Sequence, residues 1–213
     1  MVVVAAGSSV RFGEDKMLMM VAGKPLVGHT VAAVIDHVDR CILVCRPDHM
    51  SALAGLGTEV DLISGGPSRT ASERAGLEAI GEPAGLIGIH DGARPMVPAP
   101  LIEALFETAA RVGGAIPVLK PSSPIVGRSD LAPVEDARVA QTPQVFLGEP
   151  LLAAYAAAAT SGYEAQDTAA IVRRFANVEI EGVPGDPGNL KVTVPGDIDL
   201  IRSALAASRS EPR

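Results

Sequence analysis

The chain has no tryptophan, and its two tyrosines and four phenylalanines make up only 3% of 213 residues. All-β sandwiches and barrels draw on aromatic side chains at corners and edges, so this shortage turns the reading toward helices packed on a sheet. Cysteine is equally scarce: Cys41 and Cys45 are the only two, too few for a disulfide framework. They lie in the apolar run from Arg40 to Arg46, where a strand would put i and i+4 on one face, and they read as buried thiols. A C-x-x-x-C pair without a His or further Cys cluster is weak support for a metal. Cations are outnumbered, 18 Lys and Arg against 25 Asp and Glu, for a net charge of −7. That deficit excludes a nucleic-acid backbone or an anionic membrane as partner, because both need a basic face. No run approaches the ~18 uninterrupted apolar residues of a membrane span. The first residues, Met1 to Ala6, enter a strand with no basic n-region and no cleavage site, which sets the expectation of a cytoplasmic protein.

What is abundant is aliphatic. Hydrophobic residues reach 47%, mostly Ala, Val, Leu and Ile, enough for one sizeable core and therefore one domain over residues 1–213. Short apolar runs alternate with longer helical patterns, the signature of βαβ units and a mostly parallel sheet. Strands are expected at Val2 to Ala5, Cys41 to Cys45, Val60 to Ile63, Leu86 to His90 and Ala115 to Leu119, with helices at Leu26 to Val38, Asp48 to Leu56, Thr70 to Ile80 and Pro100 to Val112. Later helices are expected at Glu149 to Ala159, Asp167 to Phe175 and Ile198 to Ala207, and strands at Val178 to Glu181 and Leu190 to Val194. Thr70 with Glu73 has capping-box spacing, and Asp197 stands where an N-cap would. Between Lys120 and Arg138 the alternation stops, and Pro121, Pro124, Gly127 and Pro133 break every pattern. So long an irregular stretch in a compact domain is either functional or leaves the body of the fold.

The first strand runs into Ala5-Ala6-Gly7-Ser8-Ser9-Val10-Arg11-Phe12-Gly13, with Lys16 and then Gly23-Lys24-Pro25 following. Small residues there let backbone N–H groups approach an anion, while Arg11 and Lys16 supply the charge a triphosphate requires. An ordinary Gly-rich βα turn is the plain alternative, and the pattern is neither of the two standard phosphate loops. Two cations around small residues at the carboxyl end of a first strand, where open α/β sheets bind ligands, favour the phosphate reading. Asp91, just past a strand, can hold a hard cation that also bridges a phosphate, or cap a turn. Arg94 can clamp a phosphate or pair with Asp91. His90 reads as a strand-end residue.

The run A-A-G-x-x-x-R-x-G-x-x-K resembles the signature loop of sugar-phosphate nucleotidyltransferases. Gly65-Gly66-Pro67-Ser68-Arg69-Thr70-Ala71-Ser72, His90-Asp91-Gly92-Ala93-Arg94-Pro95, Gln141-Thr142-Pro143-Gln144-Val145-Phe146 and Asn189-Leu190-Lys191-Val192-Thr193 resemble, in order and spacing, the 2-C-methyl-D-erythritol 4-phosphate cytidylyltransferase family over nearly the whole chain. The resemblance implies a three-layer Rossmann-like α/β nucleotidyltransferase fold with a protruding dimerisation arm at about 119–140. It implies a Mg²⁺-dependent transfer of CMP from CTP to methylerythritol phosphate, with release of pyrophosphate, in non-mevalonate isoprenoid precursor synthesis. Arg11, Lys16 and Lys191 would surround the triphosphate, and Asp91 would hold Mg²⁺. Ala5, Ala6, Gly7, Ser8, Gly66, Pro67, Ser72 and Gly92 would line the nucleotide. Asp91, Arg94, Arg138, Thr142, Asp167 and Thr168 would stand toward the acceptor. A homodimer is expected, with each arm completing its neighbour's pocket.

Pro67 and Gly188 stand where the family often has acidic or polar residues, and two departures lie in the irregular segment: Ser123-Pro124 stands where an Asp-Thr pair is usual, and Val134 where an Arg is usual. Both bear on the acceptor half, and cytidylylation of ribitol 5-phosphate is the nearest alternative. A non-catalytic nucleotide-binding relative would lack Lys16, Lys191 or Asp91, and all three are here. A nicotinamide oxidoreductase would carry G-x-G-x-x-G and an acidic residue after the second strand, where Cys45-Arg46 stands.

Overall fold

The computed structural model describes residues 1–7, 12–13, 15–57, 59–81 and 85–210. Eight strands form one sheet. Seven follow the spatial order β10-β7-β9-β6-β1-β4-β5, and β8 (Val139–Ala140) pairs with the outer half of β7. The centre is β1 (Val2–Ala5), flanked in parallel by β4 (Cys41–Cys45) and β6 (Leu86–Asp91), with β5 (Val60–Ser64) beyond β4. All five residues of β4 are buried, as expected for a strand covered on both faces. On the other side, β7 (Gly113–Leu119) and β10 (Glu179–Pro184) run parallel to each other. Between the two groups lies β9 (Gln144–Leu147), antiparallel to both neighbours. The α/β expectation of a mostly parallel sheet is met, with β9 as an insertion the alternation did not reveal. Its four residues follow Thr142-Pro143 directly.

Helices cover both faces. One core cluster joins Val3, Leu26, Val31, Leu43, Leu101, Leu105 and Ile201; the other joins Val2, Ile42, Leu77, Ile89, Phe146, Leu151 and Ile171. Alternate residues of β1 thus point to opposite clusters, which is the period-two rule at work. The helix α3 (Arg69–Ile80) crosses so close to the sheet that a Cβ on Gly76 would lie 2.4 Å from Val2 Cγ1. This proximity places the first turn of α3 beside the ends of β1 and β6.

Several local expectations are corrected. The α3 cap is Ser68, which accepts from Ala71 N at 3.0 Å, whereas Thr70 Oγ1 accepts from Ala165 N across the fold. Glu73 is therefore released from a capping box. Leu26 to Val38 divides into α1 (Leu26–Val34) and a 3₁₀ turn, and Asp48 to Leu56 contains only one turn of α-helix, α2 (Met50–Leu53), between 3₁₀ segments. Gly23-Lys24-Pro25 belongs to a hairpin of β2 (Met20–Val21) and β3 (Lys24–Pro25), with both turn residues, Ala22 and Gly23, at positive φ. Leu190 to Val194 forms no strand. Asp197 is the first residue of α7 (Asp197–Ser210), and its carboxylate turns back to accept from Thr193 N at 2.7 Å and Val194 N at 3.0 Å. That clasp holds the segment carrying Lys191 against the body.

The helices α4 (Ala99–Val112), α5 (Gly148–Ser161) and α6 (Thr168–Phe175) match their expected positions to within two residues. The irregular stretch 120–138 forms a loose two-limbed loop closed by Gly127 N to Ala132 O at 2.8 Å and Val134 N to Ile125 O at 2.7 Å. Ile125, Val126, Leu131 and Val134 are all exposed along it, as is Val139 at the start of β8.

Candidate active site

The carboxyl ends of β1 and β6 open into a cleft of about 440 Å³ lined by Ala6, Gly7, Lys16, Gly66, Pro67, Arg69, Ser72, Asp91, Gly92 and Lys191 among others. Beneath it, glycine backbone is pressed on the alanines at the end of β1. A Cβ on Gly65 would meet Ala6 Cβ at 2.3 Å, and one on Gly92 would meet Ala5 Cβ at 2.8 Å. Any side chain at either position would push the two loops apart, so glycine is what lets them lie flat beneath a ligand. Ser72 shapes the same floor from within: its Oγ accepts from Gly66 N at 3.1 Å and donates to Ser68 O at 2.8 Å.

Asp91 is the electrostatic centre. It is 5% exposed, and three cations reach it: Arg69 Nη1 at 2.6 Å, Lys191 Nζ at 2.8 Å and Arg94 Nε at 3.3 Å. Burial alone would raise its pKa, but Arg69 and Lys191 outweigh that and hold the carboxyl far below the usual carboxylate range. Arg94 also donates to Asn189 O at 2.7 Å, so it ties the Lys191 segment to the end of β6. Of the two roles open to it, the pairing with Asp91 is the one formed. Lys16 also lines the cleft and donates to Val192 O, next to Lys191, at 2.8 Å.

Behind Asp91 a second buried carboxylate holds the other edge of Arg69. Glu73 is 1% exposed, and Arg69 Nε stands 2.9 Å from its Oε1, with the N–H angled off the oxygen so that the contact is one of charge. Tyr155 OH donates to Glu73 Oε2 at 2.6 Å and Thr168 Oγ1 to Oε1 at 3.2 Å. Burial moves the Glu73 carboxyl upward, and Arg69, Tyr155 and Thr168 oppose that shift.

The strand end carrying Asp91 is fixed by one hydroxyl. Thr142 Oγ1 accepts from Asp91 N at 3.0 Å and lies 3.0 Å from His90 Nδ1; His90 Nε2 lies 3.2 Å from Arg94 O. Since the Arg94 carbonyl can only accept, the neutral imidazole carries its proton on Nε2, and the Thr142 hydroxyl donates to Nδ1. Thr142, expected toward the acceptor, is thus 4% exposed with its hydroxyl committed inside. Complete burial pushes the His90 pKa down to about 4, although Asp91 beside it works the other way.

The remaining expected site residues are spread out. Ala5 lies beneath Gly92. Asp167 caps α6 by accepting from Ala170 N at 2.9 Å, and Thr168 is wholly buried on Glu73. The hydroxyl expected to meet substrate therefore serves the buried network. Arg138 is exposed at the end of the 120–138 loop, 3.5 Å from Asp136, and lines a separate depression with Lys120, Ser123, Pro124 and Val134. Ser8 and Arg11 lie outside the described residues. Sequence reasoning missed Arg69 and Glu73, although an Arg and a Glu four apart directly after a Ser cap were visible signals.

The match to a family model covers residues 1–206, and the model is that of 2-C-methyl-D-erythritol 4-phosphate cytidylyltransferase, IspD. The chain belongs to this family. It is 40% identical to the Deinococcus radiodurans enzyme of that name, over 93% of this chain and 86% of the relative. It is also 40% identical to one from Cereibacter sphaeroides, over 96% of each. The solved Thermus thermophilus enzyme superposes with a TM-score of 0.81 at 29% identity, over 97% of this chain and 98% of that one.

Mg²⁺ fits this member of the family in one way only. Among the described residues no three His, Cys, Asp or Glu side chains converge. Asp91 offers a single hard oxygen donor, which suits a cation that takes one or two carboxylates and its remaining ligands from phosphate and water.

The buried imidazole has a consequence for acid stability. His90 is neutral when folded and takes a proton in the unfolded chain near its ordinary value of 6.5. Its contribution is therefore complete above pH 6.5 and is lost as pH falls toward 4, at about 1.4 kcal/mol per pH unit. Urea denaturation between pH 7 and 4.5 is expected to show this slope, and His90→Gln is expected to flatten it. An unchanged slope in the variant would assign acid sensitivity to other groups.

Proposed function

We propose that the protein transfers the cytidylyl group of CTP to 2-C-methyl-D-erythritol 4-phosphate and releases pyrophosphate, a step of isoprenoid precursor synthesis. The observation that carries this is the cleft itself: a glycine floor for a nucleotide, walled by Lys16, Lys191 and Arg69 around one buried carboxylate. The acceptor's phosphate monoester is already ionised near neutral pH, so the reaction needs no general base. An acceptor phosphate oxygen bonds to the α-phosphorus as the bond to the bridging oxygen breaks, and pyrophosphate leaves with that electron pair. Lys16 and Lys191 neutralise charge developing on the leaving oxygens, Arg69 orients the phosphates, and the Gly65-Gly66 and Gly92 turns admit the nucleotide. Mg²⁺, held by Asp91 together with the triphosphate, supplies further neutralisation when bound.

Pyrophosphate release, assayed with methylerythritol 4-phosphate and ribitol 5-phosphate side by side, is expected to favour the first acceptor and to stop in excess chelator. Preference for ribitol 5-phosphate would fit the Ser123-Pro124 and Val134 departures and overturn the acceptor assignment. Full turnover in chelator would remove the metal role.

A cytoplasmic homodimer belongs to the same reading. The exposed aliphatic residues of the 120–138 loop would be covered by a second copy, carrying Arg138 toward the neighbour's acceptor. Arg138→Ala is expected to raise the acceptor KM and leave CTP binding unchanged. A fully active monomer in sedimentation, or an unaltered acceptor KM, would refute the composite site.

A further inference from the structure

We infer that Glu73 is a positioning residue for nucleotide binding: it holds the Nε edge of Arg69 so that the guanidinium stays divided between two carboxylates and available to the triphosphate. The inference rests on the cytidylyl-transfer reading and assigns a task to a residue outside the cleft. Arg69 is a partly exposed wall of the cleft, with Asp91 Oδ1 2.6 Å from Nη1 and Glu73 Oε1 2.9 Å from Nε. The two carboxylates lie on different edges of one planar cation, so each limits how far the other can draw it.

The alternative states show what Glu73 accomplishes. Were Arg69 paired with Asp91 alone, the guanidinium would be free to turn wholly onto that carboxylate. A triphosphate with its metal would then compete for both members of a closed, buried pair. With Glu73 in place, Arg69 keeps an anion when Asp91 is drawn to the incoming nucleotide. Glu73 is itself immobilised. Tyr155 of α5 and Thr168 of α6 each point a hydroxyl at it, and Arg69 supplies the charge. All three neighbours can donate, which is the environment of a carboxylate rather than of a carboxylic acid. These partners hold the Glu73 carboxylate in place, and Arg69 stands one turn earlier on the same helix.

Two physical effects predict opposite results when the charge is removed. A Glu73 acting only through its field repels the triphosphate, so Glu73→Gln would bind CTP more tightly. A Glu73 acting through Arg69 makes Glu73→Gln bind more weakly, by about tenfold, the typical weight of one positioned charge-assisted contact. Calorimetric titration of the purified protein with CTP in Mg²⁺ decides between them, with thermal melting and the acceptor KM measured alongside. The expected result is weaker CTP binding with the acceptor KM within about twofold of the parent, since one positioned contact is removed on the nucleotide side alone.

Arg69→Lys, which keeps the charge but lacks a fork to span both carboxylates, provides the second arm. It is expected to weaken CTP comparably, and its effect should not add to that of Glu73→Gln. Tyr155→Phe, which leaves the Glu73 charge beside Arg69, is expected to lower the melting temperature and keep CTP affinity. Unchanged or tighter CTP binding in Glu73→Gln, or full additivity with Arg69→Lys, overturns the inference. A parent protein that does not bind CTP overturns the cytidylyl-transfer reading, and this inference with it.

Discussion

Lys16→Ala and Lys191→Ala are each expected to lower kcat by at least ~100-fold with the fold intact, because one preorganised charge at a transition state is worth about 3 kcal/mol. The two lysines reach the cleft from opposite ends of the chain, Lys191 Nζ at 2.8 Å from Asp91 and Lys16 Nζ at 2.8 Å from Val192 O. Lys16 is thus aimed by the segment that carries Lys191, and Lys191 by the carboxylate at the end of β6. Steady-state rates of pyrophosphate release, with circular dichroism to verify folding, provide the check. Near-parental rates in both variants would return the lysines to a structural role. Lys191→Ala should also leave Asp91 with only its two arginine partners, so the loss is expected to exceed that of Lys16→Ala.

Asp91→Asn is expected to fall at least as far, about 100-fold or more in kcat, because a buried carboxylate that organises three cations leaves them mutually repulsive when it is neutralised. CTP affinity is expected to change much less than kcat, since the freed Arg69, Lys191 and Arg94 still attract the triphosphate. The Mg²⁺ concentration for half-maximal rate should rise about tenfold or more, as an amide oxygen is a poorer ligand for a hard cation than a carboxylate. Rates measured across a Mg²⁺ series at saturating CTP test this. An unchanged metal dependence would leave Asp91 as an organiser of cations and remove it as a metal ligand.

The layers of the fold were legible because their signals are local. Val2–Ala5 and Cys41–Cys45 are continuous apolar runs, and β6 opens with another, Leu86 to Ile89; such runs mark strands buried on both faces. α4 and α5 carry apolar residues at helical spacing. β9 escaped because antiparallel insertion between two parallel groups is a property of the assembled sheet, not of Gln144–Leu147. The segment Leu190 to Val194 has strand-like composition, yet it is held by Arg94, Asn189 and Asp197 rather than by a ladder.

Residue types and their order were enough to determine the α/β class, the family resemblance and the candidates Lys16, Asp91 and Lys191, since small-residue turns and cations keep their meaning wherever the chain goes. Tertiary structure alone decided which of these groups meet. It spent the Thr142 hydroxyl on Asp91 N and His90, and buried Thr168 on Glu73. It also brought Arg69 between two carboxylates 18 residues apart, Glu73 and Asp91. The reason is physical: a side chain's chemistry is fixed by its atoms, but its charge state, its partners and its access to a ligand depend on groups distant in sequence that only packing brings within 3 Å or so.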